Sequence, residues 1–233
     1  MKIKHGMILA AGLGKRMQPL TLKTPKPLLK IGNKTLLERS INLLINHGIE
    51  EIVVNIHHLG QQIEQYISNF SSKANLIISN EKNLLLDTGG GVKEGTKHFK
   101  EKPFLVINPD TLWDEKHSYD LLSLEQFYYK NQKHCLLLVN KKLSFDKSFK
   151  GDFNLKENIV SRDAENNFIF TGIQITNRNF LNQVDKKVFS MNEVWKELLK
   201  TKDLLGLESN LQFHHLNTFE IFKKIEKIYK IYG

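Results

Sequence analysis

Short apolar runs alternate with amphipathic stretches through the first 140 residues. Met7–Ala11, Ile52–Ile56, Leu76–Ser79, Phe104–Ile107 and Cys135–Val139 have the length and character of strands buried on both faces. Between them, Leu36, Leu37, Ile41, Leu44 and Ile45 recur at helical spacing, and Gly48 closes that helix. Ile63, Tyr66, Ile67 and Phe70 repeat in the same way, and Tyr119–Lys130 supplies another helix. Strand alternating with helix predicts an α/β fold: a Rossmann-like, mostly parallel sheet flanked by helices and joined by right-handed crossovers. Beyond residue 140 the pattern changes. Phe153–Val160 and Phe168–Ile175 read as antiparallel strands linked through an Asp163–Asn167 turn, with helices at Asn192–Leu199 and Thr218–Ile231. The expected organisation is one domain, 1–233, in which residues 1–140 carry the parallel sheet and residues 141–233 form a small antiparallel C-terminal lobe.

In sheets of this kind ligands bind at the carboxyl ends of the strands. There, Met7–Ala11 runs into Gly12-Leu-Gly-Lys-Arg-Met17, followed by Pro25-Lys-Pro27. Glycines let backbone N–H groups approach oxygen atoms, and Arg16 and Lys26 add charge, so the loop suits a polyphosphate. Pro25 and Pro27 fix the backbone on both sides of Lys26 and aim its ammonium. Met17 stands where a dinucleotide fingerprint needs its third glycine, and no Gly-Lys-Ser/Thr closes a P-loop. Read by itself, the Gly-x-Gly fits a tight turn equally well.

Three further segments follow predicted strands or precede helices. Asp110, in Asn108-Pro-Asp110, could hold a divalent cation against a phosphate oxygen, or cap a turn before Thr111. Leu86-Asp-Thr-Gly-Gly-Gly-Val92 places three glycines ahead of a helix, where they could admit a base or sugar, or simply form a turn capped by Asp87 or Thr88. Glu81 could accept hydrogen bonds from a base edge, or be solvated. Gly151-Asp152 and Thr171-Gly172 are weaker candidates for sugar contacts. The pairs His57-His58 and His214-His215 make no two-ligand metal site on a strand, because neighbours point to opposite faces. Neither a Ser/His/Asp arrangement nor a His-Glu-x-x-His motif is present.

The charge, +9 from 34 basic against 25 acidic residues, favours anionic ligands without choosing among them, and the lysines are dispersed rather than clustered. An aromatic-interleaved basic patch for nucleic acid is missing. No run approaches the roughly 18 apolar residues of a membrane span, and no apolar signal-peptide core follows the N-terminus. The lone Cys135 lies in an apolar run and fits a buried thiol in a reducing cytoplasm.

Together, "LAAGLGKRMQPLT…TPKPLL", "LLDTGGGV", "NPD", "GDF" and "FTGI" resemble, in order and over almost the whole chain, the sugar-1-phosphate nucleotidyltransferases. The resemblance is nearest to the short N-acetylmuramate-1-phosphate uridylyltransferases, with similar short enzymes labelled mannose-1-phosphate guanylyltransferases. It implies transfer of a nucleotidyl group from an NTP to a sugar 1-phosphate, with release of pyrophosphate, in a cytoplasmic monomer or small homo-oligomer without a β-helix extension. It assigns residues 1–140 to the nucleotide and 141–233 to the sugar. Leu9, Ala10, Ala11, Gly12, Gly14, Lys15 and Arg16 would surround the nucleotide, with the triphosphate wrapped from Gly12 to Arg16. Lys26 would reach the phosphates near the reacting phosphorus, and Glu81, Thr88, Gly89 and Gly90 would face the base. Asp110 would bind Mg²⁺ or Mn²⁺, and Asn108, Asp152, Thr171 and Gly172 would lie on the sugar-phosphate side. Two departures stand out. Pro109 replaces a usual glycine, and in Phe213-His-His-Leu-Asn-Thr218 His215 occupies the place of a second metal-binding Asp and Asn217 that of a Gly. Imidazole is a poor Mg²⁺ ligand and a fair one for Mn²⁺ or Zn²⁺. Three consequences are therefore open: a softer metal at His215, Mg²⁺ held by Asp110 with waters, or a weakened, binding-only protein. The second is the expectation.

Overall fold

The computed structural model describes residues 2–232. The chain begins with β1 (His5–Leu9), a short hairpin of β2 (Lys30–Ile31) and β3 (Lys34–Thr35), α1 (Leu36–His47), β4 (Glu51–Ile56) and α2 (Gly60–Ser68). Next come β5 (Asn75–Asn80), α3 (Asp87–Gly95), β6 (Phe104–Ile107), α4 (His117–Asn131) and β7 (His134–Asn140). The remainder is a hairpin of β8 (Asn154–Lys156) and β9 (Ile159–Ser161), then β10 (Phe168–Thr176), α5 (Arg178–Asn182), α6 (Met191–Thr201), β11 (Leu204–Ser209) and α7 (Phe219–Tyr232).

Nine strands form one sheet in the order β5-β4-β1-β6-β10-β7-β11-β9-β8. β5, β4, β1 and β6 are parallel, as are β7 and β11, while β10 runs antiparallel between β6 and β7. The fold is thus the expected mostly parallel α/β sheet, but β10 lies inside that sheet instead of in a lobe beside it. Ile169, Ile173 and Ile175 on β10 are fully buried, a pattern that suits only an interior strand. Phe153–Val160 is not one strand either. Glu157 and Asn158 both take positive φ, 50° and 64°, and turn the chain back between β8 and β9.

Alternate residues of each central strand feed two cores. Ile8, Val54, Leu105 and Leu137 meet α1 and α4 through Leu37, Leu44, Leu121 and Tyr128. Met7, Val53, Val106 and Leu136 meet α6 through Val194, Trp195 and Leu198. α1 is started by the Thr35 hydroxyl, which accepts from the Glu38 N–H at 2.9 Å, and stopped by Gly48 at φ 101°. A third cluster joins Phe222 and Ile225 of α7 to Met17, Leu29, Ile31, Leu112 and Leu216. Met17, in the place of a fingerprint glycine, is therefore an apolar anchor that ties the loop after β1 to the last helix. Among the described residues no helix is long and apolar enough to cross a membrane.

The three glycines of Leu86–Val92 lie within α3, not ahead of it. A Cβ on Gly90 would come 2.3 Å from the Lys187 carbonyl oxygen, and one on Gly89 would meet the Phe189 ring at 2.4 Å. These glycines let the Lys187–Phe189 segment press onto the helix, where Gly90 N–H donates to the Phe189 carbonyl at 3.0 Å.

Under α6, the fully buried His134 meets Gln174 Oε1 through Nε2 at 2.7 Å, and Trp195 Nε1 donates to the same oxygen at 3.1 Å. Burial pushes the His134 imidazole down to about 4, against a slight rise from the Gln174 contact. The unfolded chain then binds the extra proton between pH 6.5 and about 4, so stability falls as pH drops through that window. The shift corresponds to about 3 kcal/mol. Urea unfolding near neutral pH and again below pH 5 should show a loss of that order, and His134→Gln should flatten it.

Candidate active site

The loop after β1 departs from the strand at Ala10, so the strand ends at Leu9, two residues before the end of the apolar run. The reason is a side chain: Ala10 N–H donates to Asn55 Oδ1 at 2.8 Å in place of a ladder carbonyl. Gly14 then turns the chain at φ 61°, and a Cβ there would lie 2.9 Å from Thr21 Cγ2. Its carbonyl accepts from Met17 N–H and from the Thr21 hydroxyl, both at 2.8 Å. His58 holds the Thr21 carbonyl at 2.8 Å, and His57 holds that of Glu81 at 2.9 Å, so this histidine pair braces two loops. Among the described residues the N–H groups of Gly12, Leu13 and Gly14 have no protein acceptor. A Cβ on Gly12 would meet nothing within 4 Å. The loop thus presents open space, free donors and the exposed side chains of Lys15 and Arg16.

Lys26 follows the buried Pro25 and precedes the buried Pro27. Its Nζ donates to Asp110 Oδ2 at 2.7 Å, with the side chains 13% and 23% exposed. Asp110 reaches this point because the segment after β6 is paired on both sides. Asn108 N–H donates to the Gly172 carbonyl at 2.9 Å, Leu112 N–H to that of His214 at 2.9 Å, and Leu216 N–H to that of Asp110 at 2.8 Å. The last two bonds carry His215 in, its Nε2 3.1 Å from Asp110 Oδ2. Burial works to raise the Asp110 carboxyl, yet Lys26 and then His215 hold it well below the usual carboxylate range. Its Oδ1 is buried and has no hydrogen-bond partner, as are His215 Nδ1 and Asn217 Oδ1. Asn217 donates to Asp146 Oδ2 at 3.0 Å and connects this corner to the loop before β8.

The opposite wall holds Glu81 and the start of α3. Glu81, 4% exposed, accepts from Asn55 Nδ2 at 2.7 Å and from Leu86 N–H at 2.9 Å. The Thr88 hydroxyl accepts from Met191 N–H at 2.9 Å, which starts α6.

These pieces enclose a cavity of about 590 Å³. Leu9, Ala10, Ala11, Gly12, Gly14, Lys15, Arg16, Lys26, Glu81, Thr88, Asn108 and Asp110 line it. Gly89 and Gly90 do not; they face Phe189 and Lys187. Asp152 is also outside, with Oδ2 accepting from Phe170 N–H at 2.9 Å. Thr171 is buried and donates to the Leu137 carbonyl at 2.9 Å. Gly172 lies behind Asn108, where a Cβ would come 2.9 Å from the Asn108 Cβ. His215 touches the cavity only through Asp110. Sequence reasoning missed Asn55, offered Asp87 only as a turn cap and gave Asn217 no role, although all three line the cavity. A single Asn inside the apolar run Ile52–Ile56 was the available signal for the first.

One wall therefore offers backbone donors and cations, and the other a buried acceptor. For a divalent cation, the unpartnered Asp110 Oδ1 is one hard oxygen donor. Among the described residues no three His, Cys, Asp or Glu side chains converge into a metal site. The donor set fits a cation that completes its shell with water and ligand phosphate oxygens.

A sequence-family profile described as Nucleotidyl transferase matches residues 5–143. The chain is 35% identical over 173 residues to an N-acetylmuramate alpha-1-phosphate uridylyltransferase of Neisseria meningitidis serogroup B, covering 72% of this chain and 73% of that one. It is 28% identical over 212 residues to a protein of the same name from Caulobacter vibrioides, covering 88% of each. A crystal structure of UDP-glucose pyrophosphorylase complexed with UDP-glucose shares the fold with a TM-score of 0.81, at 18% identity, over 99% of this chain and 100% of the other.

Proposed function

The chain belongs to the nucleotidyl transferase family, and we propose that it joins an NTP to a sugar 1-phosphate, forming an NDP-sugar and pyrophosphate. The observation that carries this reading is the cavity itself. It brings the Gly12–Arg16 loop, the Lys26–Asp110 pair and Glu81 onto one space large enough for a nucleotide. The triphosphate lies over the free N–H groups from Gly12 to Gly14, with Lys15 and Arg16 along its outer phosphates. The base faces Glu81, whose carboxylate suits an N–H donor such as uracil N3–H or guanine N1–H. The α-phosphorus comes to Lys26 and Asp110. We assign residues 1–140 to the nucleotide, and Asn108 with the segments before β8 and around Asn217 to the sugar phosphate.

The reaction is an in-line displacement. A phosphate oxygen of the sugar 1-phosphate forms a bond to the α-phosphorus, and the bond to the bridging oxygen of the β-phosphate breaks, so pyrophosphate leaves with that electron pair. Two anions must meet, and no proton need be taken from the nucleophile. The demands on the protein are alignment and charge neutralisation. Lys26 supplies a cation between the two reacting phosphates, and the Gly12–Gly14 amides hold the leaving group. Mg²⁺ or Mn²⁺ bound at Asp110 would supply further neutralisation. His215 contributes an N–H to Asp110, where a second carboxylate would give a second cation ligand.

On the likeness to the two uridylyltransferases, UTP and N-acetylmuramate 1-phosphate are the proposed substrates. Guanylyl transfer to mannose 1-phosphate is the alternative, because Glu81 accepts equally well from guanine. Pyrophosphate release from four NTPs against a panel of sugar 1-phosphates, with Mg²⁺ and Mn²⁺ compared, tests both. Release should require both substrates and be fastest for the UTP pair. Nucleotide binding without release from any pair would instead indicate a sensor that has lost turnover.

A further inference from the structure

We propose that Asn55 is a positioning residue for the base end of the nucleotide cavity. Its side chain locks the exit of β1, the end of β5 and the turn into α3 into one unit, and thereby sets NTP affinity. This inference rests on the proposed function, which assigns that end of the cavity to the base.

Four observations converge. Asn55 lies at the carboxyl end of β4, in register with Leu9 of β1 on one side and Ser79 of β5 on the other. It is 3% exposed, and both ends of its amide are used: Oδ1 accepts from Ala10 N–H at 2.8 Å, and Nδ2 donates to Glu81 Oε1 at 2.7 Å. The second Glu81 oxygen accepts from Leu86 N–H at 2.9 Å. Finally, a Cβ on Gly91 of α3 would lie 2.8 Å from both Asn55 Nδ2 and Glu81 Oε1. The helix is built with a gap at the point where this pair sits.

The chemistry of the partners leaves one arrangement. A backbone N–H needs an acceptor and a carboxylate needs a donor, so the amide can face only one way. Two consequences follow. Ala10 N–H is spent on Asn55, so the donors offered to phosphate start further along the loop. Glu81 is held by a donor on each oxygen, which fixes its carboxylate plane and leaves its remaining lone pairs to meet the base. Without Asn55, a buried N–H loses its partner and Glu81 is free to rotate. The damage falls on the base end, remote from Lys26 and Asp110, so binding should suffer more than the chemical step.

The test combines single variants with an exchange. In the double variant Asn55→Asp with Glu81→Gln every hydrogen bond survives, with the donor of the central pair reversed. The new amide at position 81 donates to the new carboxylate at position 55. That carboxylate still accepts from Ala10 N–H, and the amide oxygen at position 81 still accepts from Leu86 N–H. UTP affinity by calorimetry, KM and kcat from pyrophosphate release, and thermal midpoints are measured for the wild type, Asn55→Ala, Asn55→Asp, Glu81→Gln and the double variant. Asn55→Ala should weaken UTP binding and raise KM by about tenfold, the value of a buried hydrogen bond left unmade, with kcat within about threefold of wild type. Asn55→Asp should be worse, since two carboxylates then face each other. Glu81 itself meets the base, so the exchange is judged against Glu81→Gln and should bind UTP more tightly than either single change it combines. UTP affinity in Asn55→Ala within twofold of wild type, with only a lower thermal midpoint, would make Asn55 a brace for the fold and overturn the inference, as would an exchange that binds UTP no more tightly than Glu81→Gln. Should neither Asn55 variant fold, the exchange and Glu81→Gln decide: tighter UTP binding by the exchange supports the inference, and equal or weaker binding overturns it. Absent turnover in the wild type would count against the proposed function instead, and the calorimetric comparison would still judge Asn55.

Discussion

Alanine at Lys26 lowers kcat for pyrophosphate release by roughly a hundred- to a thousandfold, the usual cost of removing one preorganised charge donor from a phosphate-transfer site. The expectation rests on placement. Lys26 emerges between two buried prolines, its side chain is mostly shielded from solvent, and its ammonium stands 2.7 Å from Asp110 Oδ2. Little conformational entropy is left to lose when substrates arrive, so most of its charge acts on the transition state. Lys26→Arg should recover little, because a planar guanidinium cannot replace a point charge held at this distance between fixed prolines. The folded state should survive, since His215 still donates to Asp110, and circular dichroism checks this. Turnover of Lys26→Ala within threefold of wild type would remove the lysine from the chemistry.

Asp110→Asn should cost at least as much. The amide keeps the volume and can still accept from Lys26, but it removes the negative charge and the hard donor represented by the buried, unpartnered Oδ1. Mn²⁺ binding, followed by electron paramagnetic resonance with and without UTP, should weaken in parallel with turnover, and added Mg²⁺ should not restore the rate. Mn²⁺ affinity equal to wild type would place the cation elsewhere. The pH dependence is fixed by the same geometry. Burial acts to raise this carboxyl, but Lys26 and His215 together hold it well below the usual range. A carboxyl depressed on folding contributes stability that is fully present above its unfolded value near 3.8 and is lost only as pH falls through the lower folded value. Rate profiles from mildly acidic to mildly alkaline pH should therefore show no inflection from Asp110.

Most of the scaffold was legible in the chain. Strand and helix periodicities located the central elements to within a few residues, because apolar spacing is set by the geometry of the element itself. The errors have identifiable physical sources. Met7–Ala11 ended early because Asn55, 45 residues away from Ala10, takes the N–H that would have continued the strand. The glycines of α3 looked like an opening for a ligand, but they make room for Lys187 and Phe189 from another part of the chain. Phe153–Val160 looked like one strand, because the turn is made by Glu157 and Asn158 without a glycine, and a lone Asn is a weak turn signal inside an apolar-patterned run. Asp152, Thr171 and Gly172 sit in recognisable motifs but support the walls of the cavity without lining it.

The order of residues along the chain is enough to specify the alternating α/β architecture, the polyphosphate loop from Gly12 to Arg16 and the aimed lysine between two prolines. Each is encoded within a few consecutive residues, where local sterics and periodicity act directly. Which groups share one space emerges only when the chain has folded. Folding sets Lys26, Asp110 and His215 on a common carboxylate oxygen, ties Ala10 to Glu81 through Asn55, and turns Gly89 and Gly90 away from the cavity into a helix contact. Those pairings depend on strand order and on backbone hydrogen bonds between distant segments, and no local pattern carries the distance between two residues that meet only when the sheet has closed.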